Sequence, residues 1–287
     1  MKKLKYILPA LIAMISITSC LKDDKIDNQT YGMINLDKYD LVEIPSDASH
    51  VKRFSLLLDN IDTAVNVGTV RLASEKPAAS DIVIGLSAAN TSEAVDSFNL
   101  ANPNNLIQAY PADQFKLPAS VTIPKGAQDV SFQITINPSQ LDPQLPKAIA
   151  VQITGIEGGG DGIQVSGNFG QNIFVFGAKS KYEASYTYKC KISGGATANT
   201  SESDWPLETV SENTVSADGI GDYFSGYTEY TFNGDGTVTV AAFDSKGGSS
   251  YGASVVSSHY DEATGDFSVK FTILGGGYTF DETFVRN

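Results

Sequence analysis

The residues best suited to chemistry in this 287-residue chain are its single tryptophan and three aromatic residues that follow it. Trp205 comes after the polar stretch 197–204 and is followed by Pro206, with no alternating apolar neighbours to place it in a core strand. Tyr223, Phe224 and Tyr227 lie in or beside a loop-like segment, 218–226. An exposed ring offers flat apolar area, and Tyr and Trp add a polar handle. Such a surface suits the C–H face of a neutral sugar, whose hydroxyl rim would be met by amides or carboxylates. These four residues are the candidate ligand-binding set. The alternative role for Trp205 is a plug at the end of a domain, because tryptophan is well buried on average. Tyr182, Tyr186, Tyr188 and Tyr230 sit at period-two spacing in strand-like runs and are expected to pack in an interior or as cross-strand pairs.

A catalytic constellation is not legible. The two histidines, His50 and His259, fall in different expected domains, which removes most His-based metal sites and triads. Residues 248–252 match G-x-S-x-G, but no helix follows and no acid stands between that serine and His259, so the nucleophile elbow lacks its context. Glycosidase carboxylates are defined by separation in space. Asp204, Glu208, Asp222 and Glu229 flank the aromatic stretch and are the first candidates, with solvated acidic surface as the plainer reading. Asn233, Asp235 and Asp244 could supply oxygens to calcium, but a tight Asn-Gly-Asp-Gly hairpin accounts for that run without an ion. The glycine-rich run 157–162 precedes no helix and reads as a loop rather than a phosphate cradle. The expectation is therefore a non-enzyme with no catalytic residues, no cofactor and no metal site.

The chain opens with Lys2, Lys3 and Lys5, an apolar run from Ile7 to Ile17, and Ile17-Thr18-Ser19-Cys20. The run is too short for a confident spanning helix, which needs ~20 apolar residues, and it has the layout of a removable signal with a lipobox. Residues 1–19 are thus expected to be a lipoprotein signal peptide, Cys20 the lipidated residue, and 20–30 a tether. Acylation would anchor the protein to a membrane with its folded part outside the bilayer. Loss of residues 1–19 removes three lysines and no acids, taking the formal charge from −13 to −16. So acidic a chain argues against a nucleic-acid partner and against electrostatic docking on anionic lipid. With Cys20 acylated, Cys190 has no disulfide partner and reads as a small buried hydrophobe.

Short β-branched and aromatic runs separated by Gly, Pro, Asn and Asp continue from Tyr31 to the C-terminus, as in an all-β protein. Val130, Phe132, Ile134 and Ile136 alternate with Ser131, Gln133 and Thr135, so that one face is buried and the other wet. No long segment has a convincing helical period. The composition shifts near residues 177–181, beyond which lie nine of the thirteen tyrosines. The expected architecture is a β-sandwich over 31–178, followed by a smaller antiparallel domain, barrel or sandwich, over 181–287.

Two stretches resemble known families. Leu21, Lys22, Asp23 and Asp24 resemble the export signal that sends lipoproteins of Bacteroidota to the outer face of the outer membrane. Asp81-Ile82-Val83-Ile84, Phe115-Lys116-Leu117-Pro118, Val121 to Gly126, and Leu141-Asp142 before Leu145-Pro146 together resemble an N-terminal domain of unknown function common in Bacteroidota surface lipoproteins. Phe115 stands where that family has a tyrosine. The resemblance implies an immunoglobulin-like spacer that carries a C-terminal module, in proteins associated with polysaccharide uptake loci resembling the starch-utilisation system; it carries over no functional residue. On this reading the chain would be an outer-membrane, outward-facing lipoprotein that binds a poly- or oligosaccharide without cleaving it, beside an outer-membrane transporter complex. A structural or adhesive lipoprotein with protein partners is the alternative, and a small glycoside hydrolase the third.

Overall fold

The computed structural model describes residues 40–195 and 197–287. The expected signal peptide, Cys20, the tether and the start of the first domain at 31–39 lie outside the described residues. Among the described residues no helix is long and apolar enough to cross a membrane.

The chain is all-β. Among the described residues eleven strands, β1 to β11, precede Ser180: β1 (Asp40–Glu43), β2 (Val51–Leu57), β3 (Thr63–Ala73), β4 (Ile82–Ser87), β5 (Gln108–Ala109), β6 (Phe115–Lys116), β7 (Ser120–Ile123), β8 (Asp129–Ile136), β9 (Lys147–Gly158), β10 (Ile163–Val165) and β11 (Gln171–Lys179). They form two sheets. One has the order β10-β1-β3-β8-β6 and the other β2-β11-β9-β4-β7, with β5 paired to β9. Both sheets feed one core: Val70 and Leu72 of β3 and Phe132, Ile134 and Ile136 of β8 meet Ile82 and Ile84 of β4 and Phe174 and Phe176 of β11. Phe132 meets Phe174 edge-on at 5.7 Å between ring centroids. The alternation in β8 delivers the buried face expected of it, with the intervening residues outward.

Helix α1 (Thr91–Ala101) forms where the sequence has no convincing helical period. Its apolar residues Ala94, Val95 and Phe98 pack with Ala148, Ala150, Ile173 and Val175 on the outer face of the second sheet. That face of β9 and β11 is apolar too, so both strands read as continuous apolar runs and need cover on both sides. The helical pattern is faint because polar residues fill the rest of the helix; tertiary packing, more than propensity, holds a helix this short. Thr91 pins its start, donating to the Ala88 carbonyl at 2.7 Å and accepting from the Ala150 amide at 3.2 Å.

The glycine-rich run ends β9 in a turn. Gly158 has φ +84°, and a Cβ there would sit 2.5 Å from the Asp81 carbonyl oxygen. Gly158→Ala would combine a left-handed backbone with a clash against backbone, so a loss of about 1–3 kcal/mol is expected, measured as a lower urea midpoint with unchanged m-value.

Eight further strands follow Ser180: β12 (Ala184–Gly194), β13 (Ala198–Thr209), β14 (Thr214–Ile220), β15 (Phe224–Phe232), β16 (Val238–Phe243), β17 (Ser254–Tyr260), β18 (Phe267–Ile273) and β19 (Tyr278–Arg286). They pair antiparallel in the order β16-β15-β14-β13-β12-β19-β18-β17. The two edges approach each other: the Tyr260 amide donates to the Gly236 carbonyl, the Tyr251 amide to the Ala242 carbonyl, and Phe243 bridges Ser250. The sheet thus curls into a near-closed, up-and-down barrel, which full closure would free of edge strands. Asn233-Gly234-Asp235-Gly236 joins β15 to β16, where the Asn233 amide donates to the Thr237 carbonyl and the Asp235 carboxylate caps the Thr237 amide at 3.0 Å.

Inward residues of the barrel alternate along each strand. Tyr186, Tyr188, Phe232, Phe267, Phe271, Phe280 and Phe284 fill the interior. Phe267 stacks on Phe284 at 4.1 Å and Tyr182 on Phe232 at 3.8 Å. The period-two tyrosines are interior, as their spacing requires. Cys190 is buried, and burial pushes its thiol up to about 12, so it is not a reactive thiolate.

The two cores meet through a short connection. The Gln144 amide donates to the Thr209 carbonyl at 3.4 Å, the Ser180 amide to Thr209 Oγ1 at 2.8 Å, and the Ser180 hydroxyl to the Glu212 carbonyl at 2.7 Å. Strand directions then place the turns at 221–223, 244–253 and 274–277 at the far end of the barrel.

Candidate functional site

The wall of the barrel parts between β13 and β14. Only Glu208↔Ser216 and Thr209↔Val215 pair in register, and β13 residues before Glu208 have no partner on β14. On its other side β13 is fully paired to β12, with a bulge between Tyr186↔Trp205 and Tyr188↔Glu202. A bulge inserts an extra residue and re-aims the side chains around it. The result is a cleft of about 130 Å³ lined by Trp205, Pro206, Glu208, Ser216, Ala217 and Asp218.

Trp205 forms one side of this cleft as a strand residue, and most of the polar stretch before it belongs to β13. Polar side chains fill that strand because its outer face is wet and its β14 edge is unpaired. The indole stacks on Tyr188, with centroids 4.9 Å apart and planes at 18°. The ring is partly buried, and its Nε1 is shielded yet has no acceptor among the described residues. A buried donor without a partner costs about 1–3 kcal/mol.

Tyr227 occupies the outer wall next to the cleft. It pairs in register with Asp218, which lines the cleft, and with Phe243 on β16. Burial raises its phenol above the ordinary value; Ser216 works against the shift, while Glu229, Asp218 and Glu208 add to it. Lys246 Nζ lies 5.9 Å from its ring centroid. Tyr227 is buried, so it supports the cleft from behind and presents little ring of its own.

Tyr223 and Phe224 lie elsewhere, in the β14–β15 turn at the far end of the barrel. Tyr223 is exposed and meets Phe224 edge-on at 4.8 Å. Phe224 in turn contacts Tyr278 at 5.1 Å and Phe280 at 6.1 Å, so it seals the barrel end. Of the four candidate aromatics only Trp205 therefore lines the cleft; Tyr227 is packed beside it, and Tyr223 and Phe224 form a pair at the barrel end. Gly219 links the two regions: a Cβ there would lie 3.4 Å from the Phe224 carbonyl and 4.0 Å from Trp205 Cη2.

Of the four carboxylates named from the sequence, Glu208 and Glu229 flank Ser216 in register across β13, β14 and β15. Two strand spacings separate them, roughly 10 Å at the backbone. Asp204 accepts a hydrogen bond from the Ser185 hydroxyl, and Asp222 occupies the β14–β15 turn with φ +49°. No group of three or more His, Cys, Asp or Glu side chains suited to a metal exists among the described residues.

One functional group was missed by sequence reasoning. Glu282 of β19 is fully buried in the barrel, accepting hydrogen bonds from the Tyr188 hydroxyl at 2.8 Å and the Tyr230 hydroxyl at 2.9 Å. Desolvation raises its carboxyl to about 7, although the two hydroxyls pull the other way. The signal was present: in Phe280, Glu282 and Phe284 the glutamate has the parity of the buried aromatics.

Fold and site together define a two-part β protein, a two-sheet sandwich carrying an aromatic-filled barrel with a cleft in its wall. Residues 184–287 match the model of a domain of unknown function, DUF7015, and residues 26–160 match the model of an N-terminal domain family. Among solved structures, a Bacteroides ovatus protein of unknown function is similar with a TM-score of 0.60 at 12% identity, covering 87% of this chain and 95% of that one. A second B. ovatus protein of unknown function gives a TM-score of 0.52 at 13% identity, over 86% and 93% of the two chains. At such identity the likeness is one of fold. A looser match, with a TM-score of 0.44 at 14% identity over 83% and 91%, is to a Bacteroides thetaiotaomicron protein described as an auxiliary nutrient binding protein; so slight a likeness transfers nothing to this chain. No curated protein sequence matches.

Proposed function

We propose that this chain is a surface lipoprotein that captures a poly- or oligosaccharide at the β13–β14 cleft without cleaving it, as an accessory to an outer-membrane uptake complex. The observation that carries the reading is the cleft itself, where the Trp205 indole, with an unpartnered Nε1, stands beside Glu208, Ser216 and Asp218. An apolar ring with convergent polar groups is the usual chemistry of a small-molecule site. The cleft is small and opens on the side of the barrel, which suits one or two residues of a glycan laid along the wall. The lipobox at Cys20 and the acidic residues after it supply the anchoring half of the proposal.

The test is a polysaccharide panel screened for binding by the purified protein, with reducing ends assayed in the same samples. Saturable binding without new reducing ends is expected. New reducing ends would instead favour hydrolysis, for which Glu208 and Glu229, facing outward on either side of Ser216, are the pair to mutate. A protein-partner reading has its own observation: Tyr223, Val256 and Leu274 are exposed apolar side chains towards the far end of the barrel. It would gain ground if no glycan binds.

A further inference from the structure

The single tryptophan and the single buried carboxylate of the barrel share a neighbour. Tyr188 stacks its ring on Trp205 and donates its hydroxyl to Glu282 Oε1. Glu282 is held between Cys190 of β12 and Val269 of β18 in the register of β19, and Tyr230 of β15 reaches its other oxygen. These are its titratable neighbours: Tyr188 and Cys190 from β12, and Tyr230 from β15, while β18 offers Val269 between Phe267 and Phe271. No cation faces it.

We propose that Glu282 is a positioning residue for the cleft: its protonation state sets, through Tyr188, where the Trp205 ring stands at the barrel wall.

The chemistry follows from donor and acceptor counting. A carboxylate only accepts, so in the ionised state both tyrosine hydroxyls point at it. A protonated carboxyl donates from one oxygen. The tyrosine facing that oxygen then turns its hydroxyl about the Cζ–Oη bond to accept, and the change from a charge-assisted to a neutral hydrogen bond lengthens the O···O contact, which moves the ring. Ionisation also places a charge in an aromatic core where only two donors meet it, which favours any shift that tightens those two bonds. Tyr188 is the member of this network with a second face on Trp205. A displacement of its ring is passed directly to the indole and so to the cleft.

The coupling is independent of any ligand, because Trp205 is the chain's only tryptophan and its emission reports its own surroundings. Emission of the purified protein is therefore to be followed from pH 5 to pH 9. The expected result is a one-proton transition with a midpoint near 7. It should vanish in Glu282→Gln, which keeps the shape and removes the ionisation. In Tyr188→Phe, which keeps a ring on Trp205 and removes the hydroxyl that reaches Glu282, the emission transition should be lost or greatly reduced, and this variant serves if the glutamine variant fails to fold. His259→Asn and His50→Asn should leave the transition in place. A flat profile in the wild type, or the same transition in Glu282→Gln, would overturn the proposal.

The functional consequence rests on the glycan-capture reading: affinity for any glycan that the panel identifies should change at least threefold across the same transition. A pH-dependent emission in a protein that binds no glycan would sink the capture reading and leave the coupling supported.

Discussion

Glu282→Gln is expected to remove the main pH dependence of the barrel's stability between pH 5 and pH 8. The sign follows from the direction of the shift. Burial raises the Glu282 carboxyl from an ordinary value of 4.5 to about 7, so the folded state holds this proton more tightly than the unfolded chain does. Its contribution is fully present below about pH 4.5, declines as pH rises, and is lost above about pH 7. The size is on the order of 3 kcal/mol, taking ~1.4 kcal/mol for each tenfold change in proton binding. For a domain of this length that is a fall of roughly 10 °C in melting temperature between pH 5 and pH 8. Asp47 and Asp235 act in the opposite sense, because hydrogen bonds from Ser49 and Thr237 hold them below 3.8; their contribution fades only under about pH 4. Thermal unfolding at several pH values, wild type against Glu282→Gln, reads the difference. A wild-type barrel whose melting point rises from pH 5 to pH 8 would contradict the buried-carboxyl account.

The second large effect is on binding. Trp205→Ala removes both the stacking surface and the unpartnered Nε1 donor, and a loss of about 2 kcal/mol or more is typical when a central tryptophan of an interface is truncated. That corresponds to affinity about thirtyfold weaker. Trp205→Phe keeps a six-membered ring over Tyr188 and deletes the pyrrole half of the indole with its N–H, so a smaller loss is expected, about fivefold for about 1 kcal/mol of lost interaction. Truncation to alanine also uncovers Tyr188, and circular dichroism with thermal unfolding must show that the barrel persists. If both variants bind a glycan as tightly as the wild type, the cleft is not the site.

The all-β class was legible because residues in strands such as β8 and β18 alternate without interruption: Phe267, Val269, Phe271 and Ile273 all face inward. The aromatic interior was legible for the same reason. Helix α1 was not, since only a narrow stripe of Ala94, Val95 and Phe98 is needed to cover a sheet face that is itself apolar. Strand β13 was hidden by its polar composition, which reflects a wet face and an edge parted from β14, both consequences of the finished barrel. For the candidate site, sequence reasoning found the residue types and missed their grouping. Trp205 lines the cleft and Tyr227 neighbours it only through its pairing with the cleft residue Asp218, whereas Tyr223 and Phe224, nearer in sequence to Tyr227, are carried by a turn to the barrel's end. Glu282 shows the converse: its parity placed it inside, and charge alone suggested the surface.

The central claim, capture of a glycan at the β13–β14 cleft, is tested most directly by titrating polysaccharides into the purified protein while following Trp205 emission. A saturable change in emission is expected for at least one glycan, accompanied by no new reducing ends. Glycan binding that leaves Trp205 emission unchanged, or an absence of binding across the panel, would contradict it.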